Sequence, residues 1–362
     1  MSSQLIEHGL LRELGPVRRS TSGRPSTILE IDGSTFAVLV VEIVPGHLTI
    51  TTRDLALRLI SRTSQPVVAT NLPKDTLRFA QEAALHVRET LAAQGRSIIA
   101  SALALPALLS PAAAKVVAAP SLGWYDADVQ PVLSEGEGDF IIDNRANFAA
   151  LAESYNGDAK TLSPLVHLEV GTAVGAGIVL NGEIMRGEEG FAGAIGHIQV
   201  DPTGPLCHCG RRGCLEALAG LESLILRTIP DSIPQAVALE DQNQILRHIA
   251  SRAARGDTFT LAGLSDTARW IARGASVLMN ILNPRVLSLG GYIRHLQDWL
   301  LPEIVATAKD YVVAPNLGEC KIQSSELGSE ATEYGAAVML QSRAFAPRPL
   351  ERLLRRREND FA

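Results

Sequence analysis

Three of the four cysteines in this chain lie in one short segment, and a histidine precedes them. The pattern Cys207-x-Cys209-x4-Cys214, with His197 upstream, offers three thiolates and one imidazole. Those donors form the ligand set of a closed tetrahedral zinc site of the structural kind. Glycines within the segment allow the backbone to turn tightly enough to bring the donors together. The segment therefore predicts a structural zinc site at His197, Cys207, Cys209 and Cys214.

Other interpretations of the same segment stay open. The cysteines could pair with one another or be buried as small apolar side chains. An odd number of closely spaced cysteines cannot form one orderly set of disulfides, and the chain shows no sign of an oxidising compartment. His208 lies between two cysteines and rivals His197 as the fourth ligand, although we expect its ring to point away from the loop. Cys320 stands alone, and we expect it to be buried without a role.

A wider set of motifs accompanies the cysteines and resembles the signature of the ROK family, which contains sugar kinases and sugar-responsive repressors. The further matching motifs are the glycine-rich segments 168–182 and 190–197, Asn283-Pro284, and Gly290-Gly291. The similarity runs from about Thr21 to Met339. It implies an α/β chain with the two-lobed actin-like ATPase (ribonuclease H-like) fold, a structural zinc loop, and the remnant of a winged helix before it. Within the family, the chain resembles the sugar-responsive repressor branch.

The turn that wraps the nucleotide phosphates in ROK kinases differs here. The kinases have Asp-x-Gly-Gly-Thr, whereas residues 42–47 of this chain read Glu-Ile-Val-Pro-Gly-His. Phosphate binding of this kind needs backbone N–H groups that approach the phosphate oxygens closely. Val44 adds a Cβ in the way, and Pro45 removes a donor N–H. We therefore expect no ATP binding in the usual pose.

The position of the catalytic base differs as well. ROK kinases have Asn-Asp-Ala-Asn there, and their Asp takes the proton from the sugar hydroxyl. In this chain Asn144 and Asn147 keep the spacing, and Arg145 stands in place of the Asp. A guanidinium stays protonated and cannot accept that proton. Asp143 lies too far along an extended chain to replace the base, so we expect the protein not to be an enzyme.

The resemblance also places sugar contacts in this chain. Ala194 replaces a glutamate that usually binds sugar hydroxyls, and with Arg145 present the pocket has become more positive. An acidic or phosphorylated ligand held by Arg145 would suit that charge. The alternative is that Arg145 pairs with Asp143 or Glu216 and fills an empty pocket. The predicted effector-binding residues are Asn144, Arg145, His197 and Glu216.

The N-terminal residues resemble the end of the winged-helix DNA-binding domain of ROK repressors. Residues 2–13 predict the last turns of a helix and then a strand, and residues 26–31 predict a second strand. The turn between the strands carries Arg18, Arg19 and Arg24, which we expect either to contact DNA or to form a solvated basic loop. In such repressors the recognition helix and two more helices come earlier. Either the true protein is longer, or the domain has decayed and left a DNA-free sensor.

Length and composition set the organisation of the chain. A chain of 362 residues is too long for one compact core, and 46% hydrophobic with 20% charged residues is typical of a globular protein. A strand at residues 36–43 has a hairpin partner at 47–52, and residues 97–118 predict a strand, a turn and a helix. The predicted parts are a partial winged helix at 1–32, a first lobe at 33–147 completed by about 328–345, a second lobe with the zinc loop at 148–327, and a basic tail at 346–362.

These observations limit the classes of function. A net charge of −6 gives no general attraction to nucleic acid, so any DNA contact must be local. The sequence offers neither a signal peptide nor a membrane span, which indicates a cytoplasmic protein. The leading interpretation is a ROK transcriptional repressor that senses a sugar or sugar derivative and binds operator DNA as a homodimer or dimer of dimers. A sugar kinase and a DNA-free sensor are the alternatives.

Overall fold

The computed structural model describes residues 2–17, 26–67, 72–110, 115–129, 139–156, 164–230, 242–314 and 320–346. Within them the chain forms two five-stranded sheets with helices packed around them. The mixed α/β architecture agrees with the predicted fold class. Arg18, Arg19 and Arg24 and nearly all of the basic tail lie outside the described residues. The predicted domain boundaries stay a prediction.

The first sheet has the strand order β10-β6-β3-β4-β5. Strands β3, β6 and β10 run parallel, while β3, β4 and β5 form an antiparallel meander. Every residue of β3 except the last is buried, as its continuous apolar sequence predicts. The strands are β3 (Phe36–Val44), β4 (His47–Asp54), β5 (Leu59–Pro66), β6 (Ser97–Leu105) and β10 (Asp139–Asn144), and helix α2 (Pro73–Ala93) connects β5 to β6.

The second sheet has the order β13-β12-β11-β14-β15. Its central strand β11 pairs antiparallel with β12 and parallel with β14. The strands are β11 (Leu165–Val170), β12 (Val174–Leu180), β13 (Glu183–Ile184), β14 (Val286–Gly291) and β15 (Lys321–Ser324). Because β11 and β14 are parallel, their carboxyl ends meet at one edge of the sheet.

Two helices connect the sheets. Helix α3 (Arg145–Asn156) starts directly after β10 and packs against β11 and β12 of the second sheet. Helix α9 (Ala331–Ala344) packs along α3 and against β3 and β6 of the first sheet. The N-terminus of α3, where Arg145 stands, therefore lies at the junction of the two lobes.

Five further helices belong to the second lobe. They share one apolar core with β11, β12 and β14. They are α4 (Leu215–Ala219), α5 (Leu221–Thr228), α6 (Gln242–Ala254), α7 (Thr258–Leu282) and α8 (Gln297–Lys309). In the parts of the chain that the structure covers, no helix has both the length and the apolar character that a membrane span requires.

The prediction of a helix within residues 97–118 was wrong. Strand β6 is followed by β7 (Leu108–Ser110) and β8 (Lys115–Ala119), which form a small antiparallel sheet with β9 (Trp124–Asp128). The β-branched pair Val116-Val117 favours a strand, and prolines interrupt any helical turn in this stretch. The alanine-rich composition that suggested a helix was the weaker signal.

The N-terminal residues pack directly on the first lobe. Helix α1 (Ser2–Glu7) precedes the antiparallel hairpin of β1 (Leu11–Val17) and β2 (Ser26–Ile31). Leu10 is 1% exposed and belongs to the apolar core of the first sheet. An Arg58 Nη2 to Glu30 Oε1 contact of 2.8 Å joins the hairpin to the turn after β4. Leu10 and the Arg58–Glu30 pair thus attach the N-terminal residues to the first lobe.

Candidate functional site

The four predicted metal ligands come together in the structure. Donor atoms of His197, Cys207, Cys209 and Cys214 all lie within 4.8 Å of one another. Cys207 Sγ lies 3.7 Å from His197 Nδ1, and Cys209 Sγ lies 3.6 Å from Cys214 Sγ. Ligands about 2.0–2.3 Å from a tetrahedral ion are separated by roughly 3.4–3.8 Å. We call these four residues the cysteine cluster, and its geometry could hold a metal ion.

A compact loop positions the cluster. His197 ends a 3-10 turn, and residues 199 and 214 then pair as an antiparallel bridge. The Cys207 N–H donates to the carbonyl of Arg211, which closes the tip of the loop. Gly213 has a φ of +66°, and a Cβ there would lie 1.4 Å from the Asp201 carbonyl oxygen. Only glycine fits this position, because a side chain there would collide with the Asp201 backbone.

The surroundings of the cluster combine burial with a nearby carboxylate. Burial raises the pKa of the Cys207 thiol. Glu216 Oε1 lies 3.8 Å from Cys207 Sγ, and Glu216 Oε2 accepts a hydrogen bond of 2.9 Å from the Val174 N–H. A protonated thiol is a poor ligand, but a bound cation lowers thiol pKa values strongly. His208 is exposed and is not part of the group of close donors.

Arg145 lies at the centre of a second polar cluster. Its Nε donates to Glu42 Oε1 at 2.9 Å, and its Nη1 lies 3.3 Å from Glu169 Oε1. Glu169 Oε2 lies 3.0 Å from His167 Nε2, and His167 Nδ1 lies 3.3 Å from Ser288 Oγ. Glu42 belongs to the first sheet, whereas Glu169 and His167 belong to the second. We call Arg145, Glu42, Glu169 and His167 the arginine cluster, and it joins the two lobes.

Burial and charge act against each other in the arginine cluster. Burial raises the pKa of Glu42, and the charge of Arg145 only partly offsets it. Burial would also raise the pKa of Glu169, but the charge of Arg145 and the hydrogen bond with His167 lower it below its usual value. The pKa of Arg145 is raised because attraction to both glutamates outweighs its own burial. The cluster therefore holds one cation between two unequal carboxyl groups.

The arginine pairs differently from the expected alternative. The sequence suggested Asp143 or Glu216 as its partner, but the structure gives it Glu42 and Glu169. Asp143 is taken by Arg186, whose Nη2 lies 2.7 Å from Asp143 Oδ2. The reason is topology, because the first residue of α3 meets β3 and β11, while Asp143 at the end of β10 meets Arg186.

Sequence reasoning missed Glu42, Glu169 and His167. A signal was present, because each stands among apolar residues within a predicted or buried strand. Charged side chains in such strands are buried only with a partner. Gly290 also has a local reason, since a Cβ there would lie 2.3 Å from Glu169 Oε2 and 2.6 Å from the His167 ring. This glycine leaves space for the side chains of Glu169 and His167.

The other predicted effector residues have partners inside the protein. Asn144 donates from Nδ2 to the Ala107 carbonyl and accepts from the Ala146 N–H, both at 2.8 Å. Its oxygen thus caps the first turn of α3. The side-chain oxygens of Glu216 face the Val174 N–H and Cys207 Sγ. The binding of an effector by Asn144, Arg145, His197 and Glu216 stays a prediction.

The turn between β3 and β4, where ROK kinases have their first phosphate-binding motif, is a tight hairpin. Val44 pairs with His47, so that only Pro45 and Gly46 connect β3 to β4. Gly46 has a φ of +81°, which suits the second central position of a type II turn after a proline. Pro45 supplies no N–H donor in this two-residue turn.

A cavity opens in the cleft beside this hairpin. Its volume is about 270 Å³. Residues of both lobes line it, namely Pro45, Ser121, Thr172, His208, Leu221, Glu222 and Ile225. We call it the cleft pocket. Its lining includes none of the four predicted effector residues.

Known proteins resemble this chain over most of its length. A model of the ROK family matches residues 48–343. The DNA-binding transcriptional dual regulator NagC of Escherichia coli (strain K12) is 28% identical over 312 residues, which are 84% of this chain and 75% of NagC. A glucokinase of Thermotoga maritima is 28% identical over 227 residues, which are 61% of this chain and 72% of the kinase.

A solved structure matches nearly the whole chain. It is that of a ROK family transcriptional regulator, a homolog of the E. coli MLC protein. The TM-score is 0.79 at 24% identity, and the match covers 98% of this chain and 90% of the other. At this identity the likeness establishes the fold. It extends over nearly the whole chain, and so over both sheets.

Proposed function

The chain belongs to the ROK family, and on that premise we propose that it is a transcriptional repressor that binds operator DNA and senses a sugar or sugar derivative. The observation that carries this choice over a kinase is Arg145. It stands at the position of the kinase base and is ion-paired on both sides, to Glu42 and Glu169. The alignment with NagC also covers more of this chain than the alignment with the glucokinase, 84% against 61%.

DNA would be contacted through the N-terminal hairpin. Support comes from the order of helix, strand and strand, with Arg18, Arg19 and Arg24 in the connection between the strands. Because Leu10 is buried in the first lobe, the hairpin would move with that lobe as one body. A change in the angle between the lobes would then alter the spacing of the two hairpins in a dimer. DNA binding would depend on that spacing, because the two half-sites of an operator lie a fixed distance apart.

A symmetric assembly is part of the proposal. Two half-sites on DNA suit a two-fold symmetric protein, so we propose a homodimer or a dimer of such dimers. Sedimentation equilibrium of the full chain gives the mass of the assembly directly. A monomer at micromolar concentration would exclude this part.

The cysteine cluster would hold a structural zinc ion. Three sulfurs and one imidazole nitrogen are soft to borderline donors, and their spacing suits a tetrahedral ion. With all four positions taken by protein, a zinc ion there supplies a cross-link and leaves no open position for catalysis. His197, Cys207, Cys209 and Cys214 would thereby fix the loop that precedes α4 and its Glu216.

Selection of bound fragments from the genome of the source organism tests the proposed function. The full chain should enrich a small set of sites, and a labelled copy of the best site should bind with at least a hundredfold preference over random DNA of equal length. Replacing Arg18, Arg19 and Arg24 together by alanine should abolish that preference. Replacing Arg78, an exposed arginine on α2, should not. Binding that ignores sequence, or that survives the triple replacement, contradicts the proposal.

The kinase alternative has a direct assay. Coupled turnover with ATP and a panel of hexoses should stay at the background rate, because Arg145 cannot accept a proton. The variant Asp143→Asn serves as the control for the carboxylate two residues before Arg145. Turnover that disappears in that variant would show that Asp143 acts as the base and would overturn the assignment.

A further inference from the structure

The three thiols of the cysteine cluster differ in their exposure to solvent. Cys207 and Cys214 are buried, whereas Cys209 is half-buried. Cys209 stands at the tip of the loop, between the exposed residues His208 and Gly210. A small oxidant in the surrounding water therefore reaches Cys209 before it reaches the other two thiols. Exposure of this kind is one of the properties that make a cysteine susceptible to oxidation.

The sulfur of Cys209 has a second thiol within reach. Cys209 Sγ lies 3.6 Å from Cys214 Sγ, and a disulfide bond about 2.05 Å long would need an approach of roughly 1.5 Å. The turn that carries Cys209 has room for this movement, because no atom lies within 4 Å of the place where a Cβ of Gly210 would stand. Cys214 is fixed more firmly, since Gly213 before it packs against the Asp201 backbone. Cys209 can therefore move towards Cys214.

Cys207 is a less suitable partner for Cys209. One residue separates the two, so a disulfide between them would close a very small ring, and departures from ordinary disulfide geometry store strain. The sulfur of Cys207 instead faces His197 Nδ1 at 3.7 Å and Glu216 Oε1 at 3.8 Å. Four residues separate Cys209 from Cys214, which gives the chain between them more freedom. The geometry thus favours one of the three possible pairs.

We propose that Cys209 and Cys214 form a reversible disulfide when the protein meets hydrogen peroxide. The Cys209 thiolate attacks one peroxide oxygen, the O–O bond breaks, and hydroxide leaves. The Cys214 thiolate then attacks the Cys209 sulfur, the S–O bond breaks, and a second hydroxide leaves. The two sulfurs together lose two electrons, and the peroxide is reduced to two hydroxide ions, which take up protons from the solvent. The inference goes beyond the proposed function, because it makes the cysteine cluster an oxidation site.

The disulfide would remove two of the four metal donors. The two that are left, His197 and Cys207, do not complete a tetrahedral site, so a structural zinc ion would leave. Cys214 directly precedes α4, and Glu216 in the first turn of that helix accepts a hydrogen bond of 2.9 Å from the Val174 N–H. Val174 begins β12, just after a turn that lines the cleft pocket. Oxidation of the loop is therefore one contact away from the cleft.

Peptide mapping of the full chain tests the disulfide. The purified protein is treated with about a tenfold excess of hydrogen peroxide, its free thiols are alkylated, and it is digested with trypsin. Trypsin cuts after Arg211 and Arg212, which lie between the two cysteines. A Cys209–Cys214 disulfide then joins the fragments 187–211 and 213–227, and dithiothreitol separates them. We expect this linked pair in more than half of the treated chains, with the alkyl group on Cys207.

The same digest contains the results that would overturn the proposal. Alkylated Cys214 beside a Cys207–Cys209 link, or an alkyl group on Cys209 in the linked pair, would mean that another pair forms. Sulfinic acid at Cys209 without a link would mean that Cys214 does not reach it. Cys320 is half-buried like Cys209 and lies outside the cluster, so it should stay alkylated, and Cys320→Ser should form the link as the unaltered chain does. Oxidation of Cys320 to the same extent would show that exposure alone decides.

Zinc release separates this inference from the proposed zinc site. A colorimetric chelator should record about one zinc ion for each disulfide formed, and dithiothreitol with added zinc should restore the original content. The disulfide in a protein that contains no zinc would reject the structural zinc ion and leave the oxidation site standing. Zinc released by peroxide without any disulfide would reject the oxidation site and leave the zinc ion standing.

Discussion

The cysteine cluster and the arginine cluster are both groups of polar residues at the cleft, but they are built in opposite ways. The cysteine cluster uses one stretch of chain, from His197 to Cys214, and its donors face one another. The arginine cluster uses β3, α3 and β11, and Arg145 lies 103 residues from Glu42 in the chain. The cysteine cluster consists only of possible metal donors, whereas the arginine cluster contains its own cation.

The two clusters should therefore stabilise different parts of the molecule. A metal in the cysteine cluster would cross-link a single loop, so its loss should act on that loop and on α4. The arginine cluster joins strands of two sheets, so its loss should act on the whole molecule and on the relation between the lobes. The comparison can therefore be tested by removing one cluster at a time.

Removal of a cysteine ligand should have the largest effect. Cys209→Ser should lose the bound zinc, because structural zinc sites of this donor type contribute about 10–16 kcal/mol in isolated peptides and need all four ligands. Metal content by elemental analysis should fall from about one ion per chain to near zero. Cys320→Ser is the matched control, since that cysteine is similarly half-buried and lies outside the cluster. Hydrogen exchange should quicken within 199–216 and stay unchanged in β3 and β11.

Removal of the arginine should have the next largest effect and a wider reach. Arg145→Met leaves Glu42 and Glu169 buried without their cation, so the free energy of unfolding should fall by about 3–5 kcal/mol. Urea unfolding measures this loss. Arg12→Met, at the exposed pair with Glu30, is the control and should change little. Equal losses in the two variants would contradict the central role of Arg145.

A second substitution should partly restore the stability lost in Arg145→Met. Adding Glu42→Gln to Arg145→Met removes one of the stranded carboxyl groups. The double variant should therefore be more stable than Arg145→Met alone. A further loss would mean that Glu42 is stabilised by partners other than Arg145.

Crowding the arginine cluster should have a smaller effect. Gly290→Ala places a Cβ against Glu169 Oε2 and the His167 ring, which should cost about 1–3 kcal/mol of unfolding free energy. Gly175→Ala is the matched control on strand β12 of the same sheet, because a Cβ there meets only Ala146 at 3.9 Å. Zinc content should be the same in both. If Gly175→Ala is as unstable as Gly290→Ala, the space beside Glu169 is not the reason for the glycine.

The dependence of the free energy of unfolding on pH should be the smallest effect. It should have opposite signs for the two glutamates. The pKa of Glu42 is raised above the ordinary 4.5, so the native state holds its proton longer and stability falls as pH rises above that value. The pKa of Glu169 is lowered, so its contribution is present above 4.5 and is lost as pH falls below it. Glu42→Gln should remove the fall above 4.5, and Glu169→Gln should remove the loss below it.

Urea unfolding at a series of pH values between about 3 and 8 measures both slopes. Glu189→Gln, at an exposed position, is the control and should follow the original chain. Identical pH profiles for Glu42→Gln and Glu169→Gln would show that the arginine does not distinguish the two carboxyl groups.

Local patterns in the sequence determined much of the molecule. Strand β2 has the predicted bounds, and β3 and β4 begin at the predicted residues. The donors of the cysteine cluster could be named from spacing because a short loop limits how far they can separate. The family could be named from motifs, and the match over residues 48–343 confirms it.

Tertiary structure alone decided which residues meet across the cleft. The partners of Arg145 depend on how α3 leaves the first sheet and packs on the second, and no spacing along the chain encodes that meeting. The cleft pocket likewise combines Ser121 with Glu222, which come from different lobes. Short-range contacts follow from the order of residues, because the chain between them is short. Long-range contacts follow from the packing of whole sheets and helices, where many weak interactions jointly fix the position of each charge.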